Sequence, residues 1–597
     1  MLYPQLENIQ GARQWIEQFR GLDRRPRAGD GTFSAMGNMS GDPSPLLSSR
    51  PRRGVVAELD HPQAMIAMGS LAWIDGSTLY YGGEATPITD LSTREDMLPK
   101  HMVAMGAYIV IFPDGYFYNT ADPADWGTLE RRWRSAHGDA ISFTLCTAEG
   151  INYATEDIIA SDTAPEDPQD GQYWIDTSGD EQHALYQWHD QWIGISSVYI
   201  KMSAPGIGVG LSPRDAVEIS GVSCDSGTEG MVQQYRDINN TQILEDVGDD
   251  FIIFAGIIDG NYTQLRGRVE VNRVFPRLDC VVESANRLWG CRYGMEGGEM
   301  VNRIYSCALG DFKNWQRYAG SSTDSYYVNV GVDGPFTGAA THRGRPYFFK
   351  EGCYFTLYGD EPSNFQLVHT VGDGVKDGSA GTVCSYNGYI YYLSPRGPMA
   401  METLGTPIGE ALGPGKLSGG AAGVSGGKYW LSAREENGSY SLYVFDTGNG
   451  TWHRQDDVRA LAFAELGGEM FMLAADGRVL AMNGAMGTPE DGEISWYAET
   501  GRMDLDSADH RYTGRLGVRI SLEEDGECRI LLEADSDGIW RQVGQIDGEA
   551  RARIFPLPII PRRCGHVRLR VEGHGDFQLY GISREILAGS DIRMGVR

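Results

Sequence analysis

The sequence predicts an all-β protein built around a β-propeller, with an inserted β-rich domain, an extended N-terminal arm and a C-terminal β-sandwich. Three observations point there. Glycine is abundant, at 78 of 597 residues, and 30 tyrosines and 13 tryptophans raise the aromatics; this pairing favours many short strands joined by glycine turns. A unit of two or three apolar runs, closed by an aromatic after a polar turn, recurs at Asp311-Phe312-Lys313-Asn314-Trp315, Pro362-Ser363-Asn364-Phe365 and Thr447-Gly448-Asn449-Gly450-Thr451-Trp452. Trp315 and Phe365 are 50 residues apart and Phe365 and Trp452 87, which fits one and two blades of roughly 40 to 50 residues.

A chain this long outgrows a single core, so several domains are expected. Residues 1–55 hold eight arginines against five acidic residues. After a short helix near Ala12 to Phe19, the run Gly29-Asp30-Gly31 with Pro43 and Pro45 predicts an extended arm lying on a neighbouring domain or subunit. Residues 56–134 supply the first blades: Ala64 to Met68, Leu71 to Ile74, Thr78 to Tyr81, Met102 to Phe112 and Tyr116 to Asn119, with a hairpin turn at Pro113-Asp114-Gly115. Longer strands over residues 135–276 mark an inserted domain. Within it, 164–192 forms an aromatic hairpin module with Trp174, Tyr186, Trp188 and Trp192 as its exposed rings. The remaining blades occupy 277–490. From 491 to 597, Leu516, Val518, Ile520 and Leu522 alternate with small or polar residues, as do Val567, Leu569 and Val571, which predicts a sandwich sheet with one face buried.

A net charge of −30 disfavours a nucleic-acid-binding surface, which needs clustered Lys and Arg to displace counterions. No stretch reaches the roughly 18 to 20 apolar residues of a membrane span, and Met1 to Arg20 lacks the basic-then-apolar order of a signal peptide, so synthesis and assembly in a cytosol are expected. The nine cysteines are scattered without a C-x-x-C pair and read as buried thiols.

The chemistry-bearing patterns are missing. Gly415-Lys416 is followed by Leu417 where a P-loop needs Ser or Thr, and Gly206, Gly208 and Gly210 miss the last glycine of a dinucleotide fingerprint. His183 and His189 are six apart and read as hairpin surface residues. The turn from Asp446 to Trp452 resembles the Asp-box of sialidases with one extra residue and no leading serine. No catalytic residue, metal site or cofactor site is predicted, and the expectation is a non-enzymatic chain; a glycan depolymerase, which needs paired carboxylates, is the second alternative. One charge anomaly stands out: residues 551–570 contain six arginines and no Asp or Glu, a candidate docking surface for an acidic partner.

Phe19-Arg20-Gly21-Leu22-Asp23, Gly31-Thr32-Phe33, Asn38-Met39-Ser40, Pro45-Leu46-Leu47 and Arg50-Pro51-Arg52-Arg53 resemble the opening of large virion proteins of tailed bacteriophages, with Ser44 where a tyrosine often stands. Asn286-Arg287-Leu288-Trp289-Gly290, Asn314-Trp315 and Tyr443-Val444-Phe445-Asp446 carry the same resemblance, and the aromatic module is similar to small modules of phage tail proteins. The resemblance implies a propeller-bearing tail nozzle, tail tubular or packaged-DNA stabilisation protein. Such proteins form a homohexameric ring below the portal and adaptor, extend the DNA channel, contact tail fibre proteins and help retain and eject the genome. The double-stranded DNA would slide through the lumen without specific binding, and the acidic balance agrees with that. The location implied is the virion tail, assembled in the bacterial cytoplasm. Arg50, Arg52, Arg53, Arg562, Arg563, Arg568 and Arg570 are the candidate assembly contacts. A receptor-binding adhesin using the exposed aromatics is the first alternative.

Overall fold

Two-residue turns set the repeat. In five places the first and second strands of a small antiparallel sheet are joined by a pair of residues that both have positive φ: Ala285-Asn286, Arg343-Gly344, Asn387-Gly388, Gly426-Gly427 and Gly467-Gly468. That is the hairpin geometry whose twist matches the flanking strands, so each pair of apolar runs folds back on itself locally.

The computed structural model describes residues 12–587 except 27, 94–98, 154–157, 180–182, 225–228, 414, 485, 490–492, 505–510 and 562. Six four-stranded antiparallel sheets and one five-stranded sheet form blades. Their inner strands are Pro62–Met68, His101–Met105, Cys280–Ser284, Gly338–His342, Cys384–Tyr386, Ser418–Ser425 and Ala460–Leu466. Each touches the next, and the last touches the first, which closes a seven-bladed propeller. The seventh blade borrows its fourth strand from the other end of the chain: Gly54–Glu58 pairs antiparallel with Arg478–Ala481. Apolar side chains from facing blades interlock, as where Ala64, Ile74 and Leu79 meet Ile109, Ile111 and Tyr118; each such buried large side chain contributes about 1.5–3 kcal/mol.

The apolar run from Met102 to Phe112 is two strands, His101–Met105 and Tyr108–Phe112, bent at Gly106. The turn at 113–115 is a hairpin between Tyr108–Phe112 and Tyr116–Asn119. Gly115 has φ +71, and a Cβ there would lie 2.5 Å from the Phe275 ring where the chain returns from the inserted domain.

Between the second and third blades the inserted domain builds an eight-stranded sheet, one helix (Glu229–Asp237) and a small four-stranded sheet of Ile158–Ser161, Tyr173–Asp176, Ala184–Trp188 and Trp192–Gly194. The C-terminal domain is two stacked sheets whose shared core includes Trp496, Ile520, Leu569 and Leu579. Leu516, Val518, Ile520 and Leu522 are buried, as are Val567, Leu569 and Val571, as their alternation predicts.

The N-terminal segment departs from expectation. Ala12–Ile16 is a strand, not a helix, and pairs with Phe577–Leu587. Phe33–Gly37 pairs with Ser495–Thr500, and Leu47–Ser49 adds to the other sheet. Ile16, Phe19, Leu22, Phe33, Met36, Met39 and Leu47 enter one core shared by the sandwich and by Tyr429, Leu431, Tyr443 and Trp452 of the sixth blade. The arm is therefore an internal part of the C-terminal domain and the cement between that domain and the propeller. Gly21 shows how: with φ +68 it brings the backbone against the Trp452 carbonyl, where a Cβ would collide, and Leu22 N–H donates to that carbonyl at 2.6 Å.

Candidate functional site

Alternation along the small sheet of the inserted domain sends Trp174, Tyr186, Trp188 and Trp192 to one face. Trp174 lies across from Tyr186, and Trp188 across from Trp192. Trp174 stacks on Tyr186 with centroids 5.2 Å apart; Trp192 contacts Trp174 at 5.4 Å and Trp188 at 5.2 Å. These rings cover one another, so the row is half-buried, with Trp174 buried, rather than fully exposed. The Trp174 indole N–H donates to the Ser161 carbonyl and hydroxyl, both at 3.1 Å. On the opposite face, Ile175 and Leu185 enter the core of the inserted domain beside Ile200 and Phe254. His183 is not a surface residue: its Nδ1 lies 2.7 Å from Asp259 Oδ1, and Gln234 Nε2 donates to that carboxylate at 2.8 Å. His189 is exposed, with Nδ1 2.8 Å from Asp170.

The root of the inserted domain is polar and buried. Arg273 pairs with Asp215, and its Nε–H donates to the Leu129 carbonyl at 3.0 Å. From the third blade, Asn314 Nδ2 donates to Asp215 at 2.9 Å, and Asn314 Oδ1 accepts the Ala216 N–H at 2.8 Å. Asn314 belongs to a closing turn. The same turn recurs as an Asp paired with a later Asn ahead of an aromatic: Asp311 with Asn314 before Trp315, Asp360 with Asn364 before Phe365, Asp446 with Asn449 before Trp452. A fourth copy, Asp122-Pro123-Ala124-Asp125-Trp126, closes the second blade; there Asp125 accepts from Asn119 at 3.0 Å and from Tyr108 at 2.7 Å. Sequence reasoning passed over Trp126, although its Asp-x-x-Asp-Trp spacing matches Asp-x-x-Asn-Trp at 311–315.

The arginines divide. Arg53 is fully buried, 2.7 Å from Asp456 and 2.9 Å from Gln455 Oε1. Arg50 donates to Asn38 Oδ1 at 2.8 Å. Arg52 is half-exposed and lies 3.8 Å from Glu523. Arg568 contacts Glu499 and Glu533, each at 2.9 Å; Arg570 contacts Glu499 at 2.8 Å and Glu572 at 2.7 Å. Arg563 sits half-buried in a short strand against Tyr512, and Arg562 lies outside the described residues. Of the residues expected as assembly contacts, Arg50, Arg53, Arg568 and Arg570 each bind groups of their own chain, most of them brought close by the folded strands.

Within the propeller, the inner strands carry mainly small or apolar neutral side chains. Their two carboxylates, Glu283 and Glu465, each accept a backbone N–H of their own hairpin turn, from Asn286 at 2.9 Å and Gly468 at 2.7 Å. Beside a 460 Å³ cavity at the edge of the fourth blade, Lys350 is buried and donates to Asn302 Oδ1 at 3.1 Å and to the Val332 and Gly334 carbonyls. Burial lowers its pKa, and its three donors are engaged in tying the third blade to the fourth. Among the described residues, no group of three or more His, Cys, Asp or Glu is placed to hold a metal ion.

No family model matches the chain, and none of the curated proteins does. Solved structures with similar folds include BamB from Moraxella catarrhalis (11% identity, TM-score 0.28, covering 75% of this chain and 96% of that one). PorZ of Porphyromonas gingivalis, a surface component of the type-IX secretion system, is another (9%, 0.24, 89% of each chain). A third is an exo-β-1,3-galactanase from Phanerochaete chrysosporium (9%, 0.21, 51% and 94%). Other similar structures are glycoside hydrolases of family 43. Enzymes thus stand among these neighbours, and the expectation of a non-enzymatic chain is withdrawn; at these identities and TM-scores none of them assigns an activity. The chain is a seven-bladed β-propeller with an inserted β-rich domain and a C-terminal β-sandwich that incorporates its N-terminal segment.

Proposed function

We propose that this chain is a ring-forming component of a bacteriophage tail, a nozzle-like protein that extends the DNA channel below the portal and adaptor. The observation that carries the reading is the propeller itself, which the resemblance of residues 19–53 and 286–453 to tail proteins implies. Two further features support it. Segments bearing that resemblance, including Gly21-Leu22 and Asn38-Met39-Ser40, hold the sandwich on the sixth blade through a shared core, as a building block requires. The net charge of −30 suits a wall along which DNA slides without binding.

The test is localisation in the particle. Gold-labelled antibodies against the chain are expected to mark purified virions between the capsid vertex and the fibre attachment point. Label confined to fibre tips would favour the adhesin alternative, and absence of label from the virion would reject the reading.

A further inference from the structure

Charge is distributed very unevenly over this chain. Residues 135–276 contain 23 Asp and Glu against six Lys and Arg, and residues 156–192 contain ten acidic residues and no Lys or Arg. Asp162, Glu166, Asp167, Asp170 and Asp190 are exposed around the aromatic sheet, and Ile193 is 47% exposed at its last strand.

Exposed arginines collect on one sheet of the C-terminal sandwich, among them Arg551 of the cluster at 551–570. On the outer face of its seven-stranded sheet, Arg13 and Arg515 flank Glu585 at 3.4 and 3.5 Å, with their own side chains 68% and 76% exposed. Arg519 is exposed, lies across from Ile554 and sits over the Tyr580 ring at 5.6 Å. Trp15 and Ile554, 48% and 52% exposed, flank the central strands. The sheet ends at Ala550–Leu557, which has no further strand partner among the described residues; its exposed Arg551 lies 3.3 Å from Glu549, while Arg553, across from buried Ile520, turns to the core side over the Phe555 ring. Arginines, a tryptophan and an open strand edge are the composition of an interface core.

Within one chain the two surfaces are rooted on different blades. The acidic domain is rooted between the second and third blades, and the sandwich is bound to the fifth and sixth, on opposed sides of the seven-bladed disc. We propose that the acidic aromatic module of one copy docks on the basic outer face of the sandwich of the next. This rests on the ring reading above and specifies its interface: a head-to-tail contact between two different surfaces, the kind that closes into a ring when the rotation permits. Arginine forks pair bidentately with carboxylates and set the register, while the exposed apolar groups supply cohesion that salt does not screen.

Sedimentation velocity on three full-length proteins tests this. One is the natural chain, one carries Arg515→Glu, Arg519→Glu and Arg551→Glu, and one carries Glu166→Lys, Asp167→Lys and Asp170→Lys. All six positions are exposed, so melting temperatures are expected to agree closely. The natural chain is expected to form oligomers and each variant to stay monomeric. Mixed together, the two variants are expected to associate, because one intact pair of surfaces survives between them and the two reversed surfaces are again opposite in charge. Oligomers from either variant alone, or a mixture that stays monomeric, would overturn the docking assignment and leave the ring reading standing. A natural chain that is monomeric at every concentration would remove both.

Discussion

Asp215 of the inserted domain and Asn314 of the third blade are joined by a buried hydrogen bond of 2.9 Å, and the same carboxylate pairs with Arg273 where the chain leaves the insertion. One carboxylate thus fixes both the root of the insertion and its orientation on the propeller. Arg273→Met leaves that carboxylate buried without its cation, which costs about 3–5 kcal/mol. In thermal unfolding the variant is expected to lose the inserted domain before the propeller, giving two transitions where the natural chain gives fewer.

Gly21 is a second such joint. Its φ of +68 is costly for a side-chain-bearing residue, and an added Cβ collides with the Trp452 carbonyl that Leu22 binds. Gly21→Ala is expected to destabilise by at least about 1 kcal/mol and to speed proteolysis in the first 50 residues, read by mass spectrometry of the fragments.

The N-terminal segment is predicted to be indispensable to the sandwich. Met36 and Met39 are fully buried in its core, so Met36→Ala and Met39→Ala should each cost about 2–5 kcal/mol in urea titrations. Removing residues 1–53 should also strip Asp456 of Arg53 and leave an insoluble or partly unfolded protein; a fully soluble, cooperatively folding truncation would show the segment to be an accessory.

His453 makes stability depend on pH. Burial at the junction of the sixth blade and the sandwich pushes its pKa from 6.5 down to about 4, so the unfolded chain binds a proton there that the folded chain does not. Its contribution is fully present above pH 6.5 and is lost as pH falls toward 4, on the order of 3 kcal/mol in total. Asp23, Asp42 and Glu435, whose pKa values are lowered, act mainly below that window. Denaturation midpoints measured from pH 7 to pH 4.5 are expected to fall, and His453→Gln should flatten the profile.

Patterns that are local in the chain were legible in the sequence. The strands of the first blade, the closing aromatics Trp315, Phe365 and Trp452, and the alternation at 516–522 all appear where the residues predict. Pairings between distant segments were not legible. Gly54–Glu58 is an unremarkable apolar run whose meaning comes from Arg478–Ala481, more than 400 residues on. The arginine cluster at 551–570 looks uniform in sequence, yet Arg568 and Arg570 face Glu499 across a strand pair, Arg553 lies over the Phe555 ring and Arg551 is exposed beside Glu549. Ala12–Ile16 has no strong periodicity of its own and becomes a strand because Phe577–Leu587 offers it an edge.

Closure of the proposed ring is tested most directly by electron microscopy of the purified protein. The account predicts closed sixfold rings around an open lumen, with each subunit a disc bearing two lobes on opposed sides and a particle mass near 394 kDa, six times 65.6 kDa. Single two-lobed discs at every concentration, or elongated threefold particles without a lumen, would contradict it.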